Sequence, residues 1–495
     1  MSIARETEPA HLWRETSAGT WSRECLGEEQ TASYMQNVRD GHTELTIEVP
    51  FTSSIASASE LITRARNAWL VCHSRFPQGA AEISTGTALP QLLTYRLLRS
   101  DDEAAAWLRD TFVVVTDRTA GEVARHTYSR RLATKGKRSM LFLVVDASSS
   151  AEHALVWNVS HVVSDAFSIP IFMNEILDQM TKVPGDGLLS VADIDYAGVV
   201  QRLPIHPSVL YEAQYRPSAE QRAQAIAEIL AQEDLYASHV GQSIKMYPRP
   251  DNVARPHATH CVDVKFSLAQ SQSLLANLRR EKLSITYAAA AATLLAVHAM
   301  YGRGGETGAL LGMTRNARRW VATDTVCASA SSAIFLWIPL EAHLLQGAAT
   351  TTRDRVLAVG RVIRAQLQPY LAGPHHLSLP SLSFASQRAI DGIAAAQQQA
   401  DDVPAAPCPP GFSPQGALNL KRAFEANGVR IETRDLRHTG RQINESPWVG
   451  MFSLWDRLTL SLGFDSKYHD PAKMAKLIAD VQHNLGSVAP ASAKL

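Results

Sequence analysis

Between Val156 and Leu177 the chain changes its hydrophobic period once, and that change constrains the fold more than any other feature. The run Val156-Trp157-Asn158-Val159-Ser160-His161 is apolar and β-prone, Asp165 follows His161 by four residues, and 166–177 (AFSIPIFMNEIL) carries apolar residues at helical spacing. This predicts a strand that delivers His161 to the end of a sheet, a tight turn, and a helix packed back on that sheet. Pro170 is tolerated only in the first turn of a helix, where its missing N–H has no partner to lose. It therefore sets the helix start close to Asp165.

A histidine at such a junction suits base catalysis on a hydroxyl. A neutral imidazole accepts a proton near pH 7 as an alcohol attacks a carbonyl, provided its ring is held in one tautomer and one rotamer. Asp165 would brace the turn by pairing with a distant arginine or by capping the helix. Of the 17 histidines, His161 alone has an aspartate four residues on, a spacing that about one would show by chance. Its place at a strand-to-helix connection is what sets it apart from a buried histidine bonded to backbone.

At 495 residues the chain is long enough for two domains, each with a full core. Hydrophobic residues make up 45% and charged residues 19%, as in a globular protein. Lys+Arg and Asp+Glu are equal at 48 each, so bulk charge points neither to nucleic acid nor to an anionic membrane. The five cysteines (Cys25, Cys72, Cys261, Cys327, Cys408) are scattered and lack CxxC spacing, which argues against a zinc site or a disulfide framework. The first residues carry no apolar signal core, and the most apolar stretch, 287–300, is too short to span a bilayer. A cytoplasmic protein, monomeric and free of metal, is the expectation. No Walker or Rossmann glycine loop and no nucleophile elbow is present in the sequence, which weakens kinase, dehydrogenase and serine-hydrolase readings.

Strand-like alternation at 44–51, 91–98, 140–145 and 154–159 interleaves with helical patterns at 57–72 and 104–112. A proline-punctuated stretch follows, helical only at 219–234. The same grammar then resumes: strands at 260–266, 411–420 and 455–464, a stretch 310–320 that runs off a strand into basic residues, and helices at 268–280, 284–300, 353–367 and 471–485. A polar turn is expected at 148–152 and a flexible loop at 397–410 (QQQADDVPAAPCPP). The layout is an α/β sandwich in two halves: 1–215 with the histidine, 216–255 as crossover, and 256–495.

His161-Val162-Val163-Ser164-Asp165 at the end of a strand resembles the HxxxD motif of the CoA-dependent acyltransferase superfamily, which includes chloramphenicol acetyltransferase, the plant BAHD enzymes and peptide-synthetase condensation domains. Within it the chain is most similar to the fungal trichothecene 15-O-acetyltransferase group, through 447–457 (PWVGMFSLWDR) and 462–469 (LGFDSKYH) as well as the motif. It departs from many relatives at Ser160, where a second histidine is common, and at Ala166, where glycine is common; the DFGWG signature of plant enzymes is absent.

The resemblance implies two chloramphenicol acetyltransferase-like domains, each a mixed sheet flanked by helices, with a tunnel between them. It implies acetyl-CoA as co-substrate and a small-molecule alcohol, a trichothecene-type sesquiterpenoid, as acceptor. His161 would be the base, Asp165 a brace pointing away from the reaction, and Arg315 the arginine that pairs with it, with Arg318 as the alternative. Phe412-Ser413-Pro414-Gln415-Gly416 resembles the strand and turn that face the histidine, making Ser413 the candidate donor to the thioester oxyanion. Asp465 and His469 would line the acceptor pocket or cap the last helix, and Trp157, Trp448 and Trp455 would suit a terpenoid-sized ligand or fill the core. A carrier protein in place of CoA, or a binding protein or cyclase on the same scaffold, are the competing readings.

Overall fold

A computed structural model describes residues 11–84, 86–132, 136–145, 152–321, 329–340, 351–397 and 405–489. Cys327, most of the turn expected at 148–152 and half of the loop expected at 397–410 lie outside them. The architecture is α/β, with two large mixed sheets and a small four-stranded one.

The first lobe is built on a seven-stranded sheet, in the order Ala423–Ala426, Val429–Thr433, Leu45–Ser53, Glu152–Val159, Ser139–Val145, Phe112–Val115, with Arg437–Gly440 also pairing Leu45–Ser53. Its alternation is plain in Leu45–Ser53, where Ile47, Val49 and Phe51 are fully buried. The helices Ala58–Arg75 and Ile169–Lys182 cover that face. Ser57 caps the first of them, its hydroxyl accepting from Glu60 N at 3.3 Å. The expected helix after the motif forms, with Pro170 in its first turn, but it begins at Ile169 and not directly at Asp165. It packs back as anticipated: Phe172 stacks on Trp157 of the motif strand at 4.0 Å between ring centroids. Trp157 itself is a core residue, 1% exposed, its indole N–H donating to Ser139 Oγ at 2.7 Å.

The second lobe carries a six-stranded sheet, in the order Ser331–Pro339, Gly308–Asn316, Gly411–Ala417, Trp448–Leu454, Arg457–Asp465, Thr259–Lys265. Gly411–Ala417 runs parallel to both of its neighbours, so its backbone is enclosed on two sides. Helices Ile285–Tyr301, Thr352–Leu371 and Pro471–Gly486 pack on this sheet. Ala288 to Ala292 are fully buried, which is the close packing that small side chains permit. Among the described residues no single helix is long and apolar enough to cross a membrane.

Sheet membership does not follow chain order. Ala423–Ala426, Val429–Thr433 and Arg437–Gly440 come from the second half but complete the first lobe's sheet. These strands are only four or five residues long, too short for their period to indicate a distant partner. The crossover is also more ordered than its prolines suggest. Ala219–His239 is a 21-residue helix opened by a capping box between Ser218 and Gln221. It docks on the edge strand of the second sheet, where Gln232 Oε1 accepts from Phe335 N at 2.7 Å.

Trp448 lies flat against Gly411, where a built Cβ would come 2.5 Å from Trp448 Cδ2. Gly411→Ala should therefore cost about 1–3 kcal/mol of stability through overpacking, read as a lower melting temperature. A variant melting with wild type would show that the indole can move aside.

Candidate active site

The turn after the motif strand is fixed from several directions. Ser160, 0% exposed, donates its backbone N–H to Arg138 O at 2.8 Å and its hydroxyl to Gln36 Oε1 at 2.7 Å. The same hydroxyl accepts from Val162 N at 3.2 Å. A serine at this position thus ties the turn to helix Glu28–Val38, a role that explains the residue without a second histidine. Val162 and Val163 are buried in the first core, and Gln78 Nε2 donates to Val163 O at 3.3 Å. From Ser160 to Asp165, His161 alone is half-exposed.

Asp165 is 2% exposed and collects five hydrogen bonds. Its Oδ1 accepts from Phe167 N and Ser168 N, both at 3.1 Å, and from Ser168 Oγ at 3.0 Å. Its Oδ2 accepts from Arg318 Nη1 at 2.7 Å and Ala330 N at 3.0 Å. Arg318 Nη2 also donates to Ser168 Oγ at 3.2 Å. Burial alone would push the Asp165 carboxyl upward, but the Arg318 charge and the hydrogen bonds outweigh it and hold its pKa below the usual carboxylate range. The carboxylate gathers N–H groups of the turn that precedes the helix, and it joins the two lobes through Arg318 and Ala330.

The arginine is not the one the resemblance placed here. Arg315 does not pair with Asp165; Arg318 does. The physical reason is strand geometry. Arg315 is still on Gly308–Asn316 and shares a face with Met313, so it turns into the second lobe, where its Nη1 donates to Tyr370 O at 3.3 Å. Burial there pushes the Arg315 guanidinium down to about 10, against the opposing charge of Glu28. The chain leaves the strand at Asn316, whose Oδ1 accepts from Arg318 N at 3.1 Å, and the short 3-10 turn Ala317–Arg319 swings Arg318 toward Asp165.

Ser413 lies on Gly411–Ala417 opposite Gly450, and its hydroxyl is hydrogen-bonded to Thr314 Oγ1 at 3.1 Å, not to His161. The same strand approaches the motif three residues on. At Gly416, with φ +70°, a Cβ would sit 3.7 Å from Phe167. Asp465 and His469 are fixed elsewhere. Asp465 is fully buried, accepting from Ala258 N at 2.9 Å, Lys467 N at 2.9 Å and pairing with His257 Nδ1 at 2.6 Å, while His469 is bonded to Glu445 O at 2.7 Å. Both hold the run before the last helix in place; the cap proper is Asp470, whose Oδ1 accepts from Ala472 N and Lys473 N. Trp448 packs on Gly411, and the Trp455 indole donates to Leu420 O at 2.7 Å.

Two residues absent from the sequence reading complete the centre. Ser329 Oγ lies 3.3 Å from His161 Nδ1, and Ala330 supplies the N–H on Asp165. Nothing local in the sequence marks them, since both act on residues about 165 positions earlier. A polar cavity of about 520 Å³ opens between the lobes, lined by Thr46, Glu48, Arg125, Tyr128, Asp263 and Lys265 among others. Thr46 is the register partner of Asn158 on the motif strand, and neither His161 nor Asp165 lines this space. Among the described residues no three His, Cys, Asp or Glu side chains gather as a metal site.

The same arrangement of lobes occurs in known proteins. TRI3 trichothecene 15-O-acetyltransferase from Fusarium sporotrichioides superposes with a TM-score of 0.80 over 98% of this chain and 99% of its own, at 16% identity. SgcC5 from Streptomyces globisporus superposes with a TM-score of 0.61 over 93% of this chain and 98% of its own, at 14% identity. These likenesses show a shared chloramphenicol acetyltransferase-like fold. No family model matches the sequence. Relatives in sequence are nearer: acyl-CoA-dependent acyltransferase MAC1 of Mycosarcoma maydis is 32% identical over 93% of this chain and 87% of its own. MAC1 of Pseudozyma antarctica is 32% identical over 98% and 99%. With that identity over nearly its whole length, and with the motif braced across its two lobes, the chain belongs to the family of acyl-CoA-dependent acyltransferases.

Proposed function

We propose that the protein moves an acetyl or other short acyl group from CoA to a hydroxyl of a small secondary metabolite, with His161 as general base. The observation that carries this is His161, only partly buried while Ser160 and residues 162–165 around it are buried, on a turn whose aspartate is locked to the opposite lobe. The donor follows from the relatives, named as acyl-CoA-dependent.

In the reaction His161 Nε2 takes the proton of the acceptor hydroxyl as the oxygen attacks the thioester carbonyl. The tetrahedral intermediate collapses with cleavage of the C–S bond, and the proton held by His161 goes to the departing CoA sulfur. No covalent acyl-enzyme is formed. Holding both substrates against one fixed ring supplies the proximity term, and a hydroxyl aimed at the developing oxyanion supplies charge stabilisation. Ser413 is the proposed donor to that oxyanion; its strand reaches Phe167 beside the brace, and Thr314 orients its hydroxyl. The interlobe cavity has the volume of a small-molecule site, and its charged and hydroxyl lining favours an acceptor with polar groups.

The test is release of CoA thiol from a series of acyl-CoAs, with and without a panel of trichothecene and unrelated alcohols. Alcohol-dependent release is expected, and the chain length used fastest defines the acyl group. Transfer from an acylated carrier protein with none from any acyl-CoA would overturn the donor. Turnover of unrelated alcohols alone would remove the sesquiterpenoid acceptor that the resemblance suggested.

A further inference from the structure

The brace and the base belong to one linked structure, and the link runs through the second lobe. Asp165 Oδ2 is bonded to Ala330 N, and the residue before it, Ser329, meets the ring of His161 at Nδ1 at 3.3 Å. Ser329 and Ala330 are only 3% and 5% exposed, so this backbone has little room to shift. The second anchor of the carboxylate, Arg318, comes from the same lobe, and Ala317 N donates to Ala330 O at 2.8 Å. The segment carrying Ser329 and the turn carrying Arg318 are therefore tied to each other as well as to Asp165. Among the described residues, Asp165 on the same turn is near enough to the ring for their charges to interact, and Arg318 reaches that carboxylate from the opposing lobe.

We propose that Ser329 is a positioning residue for His161: its hydroxyl oxygen accepts from Nδ1–H, fixing the tautomer that leaves Nε2 free to take the acceptor's proton, and Asp165 acts on the ring through Ala330 and Ser329. This rests on His161 being the base. A ring that accepts a proton at Nε2 must carry its hydrogen on Nδ1 in the neutral form. A hydroxyl oxygen at that nitrogen selects this form and also fixes the plane of the ring. The carboxylate is engaged elsewhere by five donors and has no role as proton acceptor. Its positioning effect on the base runs through Ala330 and Ser329, and it exists only while the two lobes are docked.

Ser329→Ala is expected to lower kcat about tenfold, the scale of one lost hydrogen bond, with both KM values unchanged within a factor of about two. Ser329→Thr, which keeps the hydroxyl, should recover most of that loss. Selective ¹⁵N-histidine labelling supplies a readout independent of rate: the His161 resonance, identified by its absence in His161→Ala, should report Nδ1–H in wild type and shift toward Nε2–H in Ser329→Ala. Combining Ser329→Ala with Asp165→Asn should be much less damaging than the product of the two single losses, because both cut the same path. Wild-type kcat in Ser329→Ala, an unchanged tautomer, a loss confined to KM, or fully multiplicative losses in the double variant would each overturn the proposal. Full activity in His161→Ala would instead overturn the base on which it rests, so the two failures are told apart in one set of assays.

Discussion

Replacing His161 by alanine is expected to lower acyl transfer by about 10²–10⁴-fold, the range contributed by a positioned general base. Stability should hardly change. The ring is half-exposed, and Ser329 Oγ is its hydrogen-bond partner, so truncation opens little cavity and strands little polar surface. Substrate binding should also persist, because the surrounding turn is held by Ser160, Gln78 and Asp165 and not by the imidazole. The expected signature is a collapse of kcat with KM values near wild type. His161→Gln should be as slow as alanine, since an amide hydrogen-bonds but does not take a proton at neutral pH. Melting temperature, kcat and the KM values check this together.

Replacing Arg318 by methionine should have the largest effect on stability of any single change near the site. The pair with Asp165 has side chains only 14% and 3% exposed, so removing the cation leaves a buried carboxylate short of its strongest partner. Breaking such a pair costs about 3–5 kcal/mol. Activity should fall with stability, because Arg318 and Asp165 hold the lobes together beside the reacting ring. Arg315→Met is the control: it removes a cation three residues away that donates to the Tyr370 carbonyl and not to Asp165, and it should leave the brace intact. The dependence on pH has a definite sign. Because the folded state holds the Asp165 carboxyl below its ordinary value, the pair's contribution is complete above the unfolded value near about 4 and is lost as pH falls through the folded value. Wild type and Arg318→Met should therefore differ most in melting temperature at neutral pH and converge in acid. A variant that melts with wild type at pH 7 would contradict the brace.

Much of this centre was legible because its parts are local and periodic. The motif strand and the helix after it announce themselves by a change of period, and Pro170 falls in the helix's first turn. The packing of Trp157 on Phe172 follows from that strand and that helix. What escaped depends on contacts that sequence separation hides. Arg315 and Arg318 differ by three positions, and choosing between them required knowing where Gly308–Asn316 ends and its 3-10 turn begins. Ser329 carries no motif, and its meaning comes only from the lobe interface that sets it against His161. The strands at Val429–Thr433 and Arg437–Gly440 were invisible for a related reason, since their pairing with Leu45–Ser53 closes a loop of nearly four hundred residues without any strong apolar period. Ser160 is a different case. It stands where many relatives carry a second histidine, and its buried hydroxyl ties the turn to Gln36, so the departure is a structural part of this chain's candidate site.

The most direct measurement is a crystal structure with CoA bound. The account predicts the CoA sulfur within about 4 Å of His161 Nε2, with Nδ1 still against Ser329 and open space beside the sulfur for an alcohol. CoA held away from His161, or an imidazole closed off from both the sulfur and solvent, would contradict it.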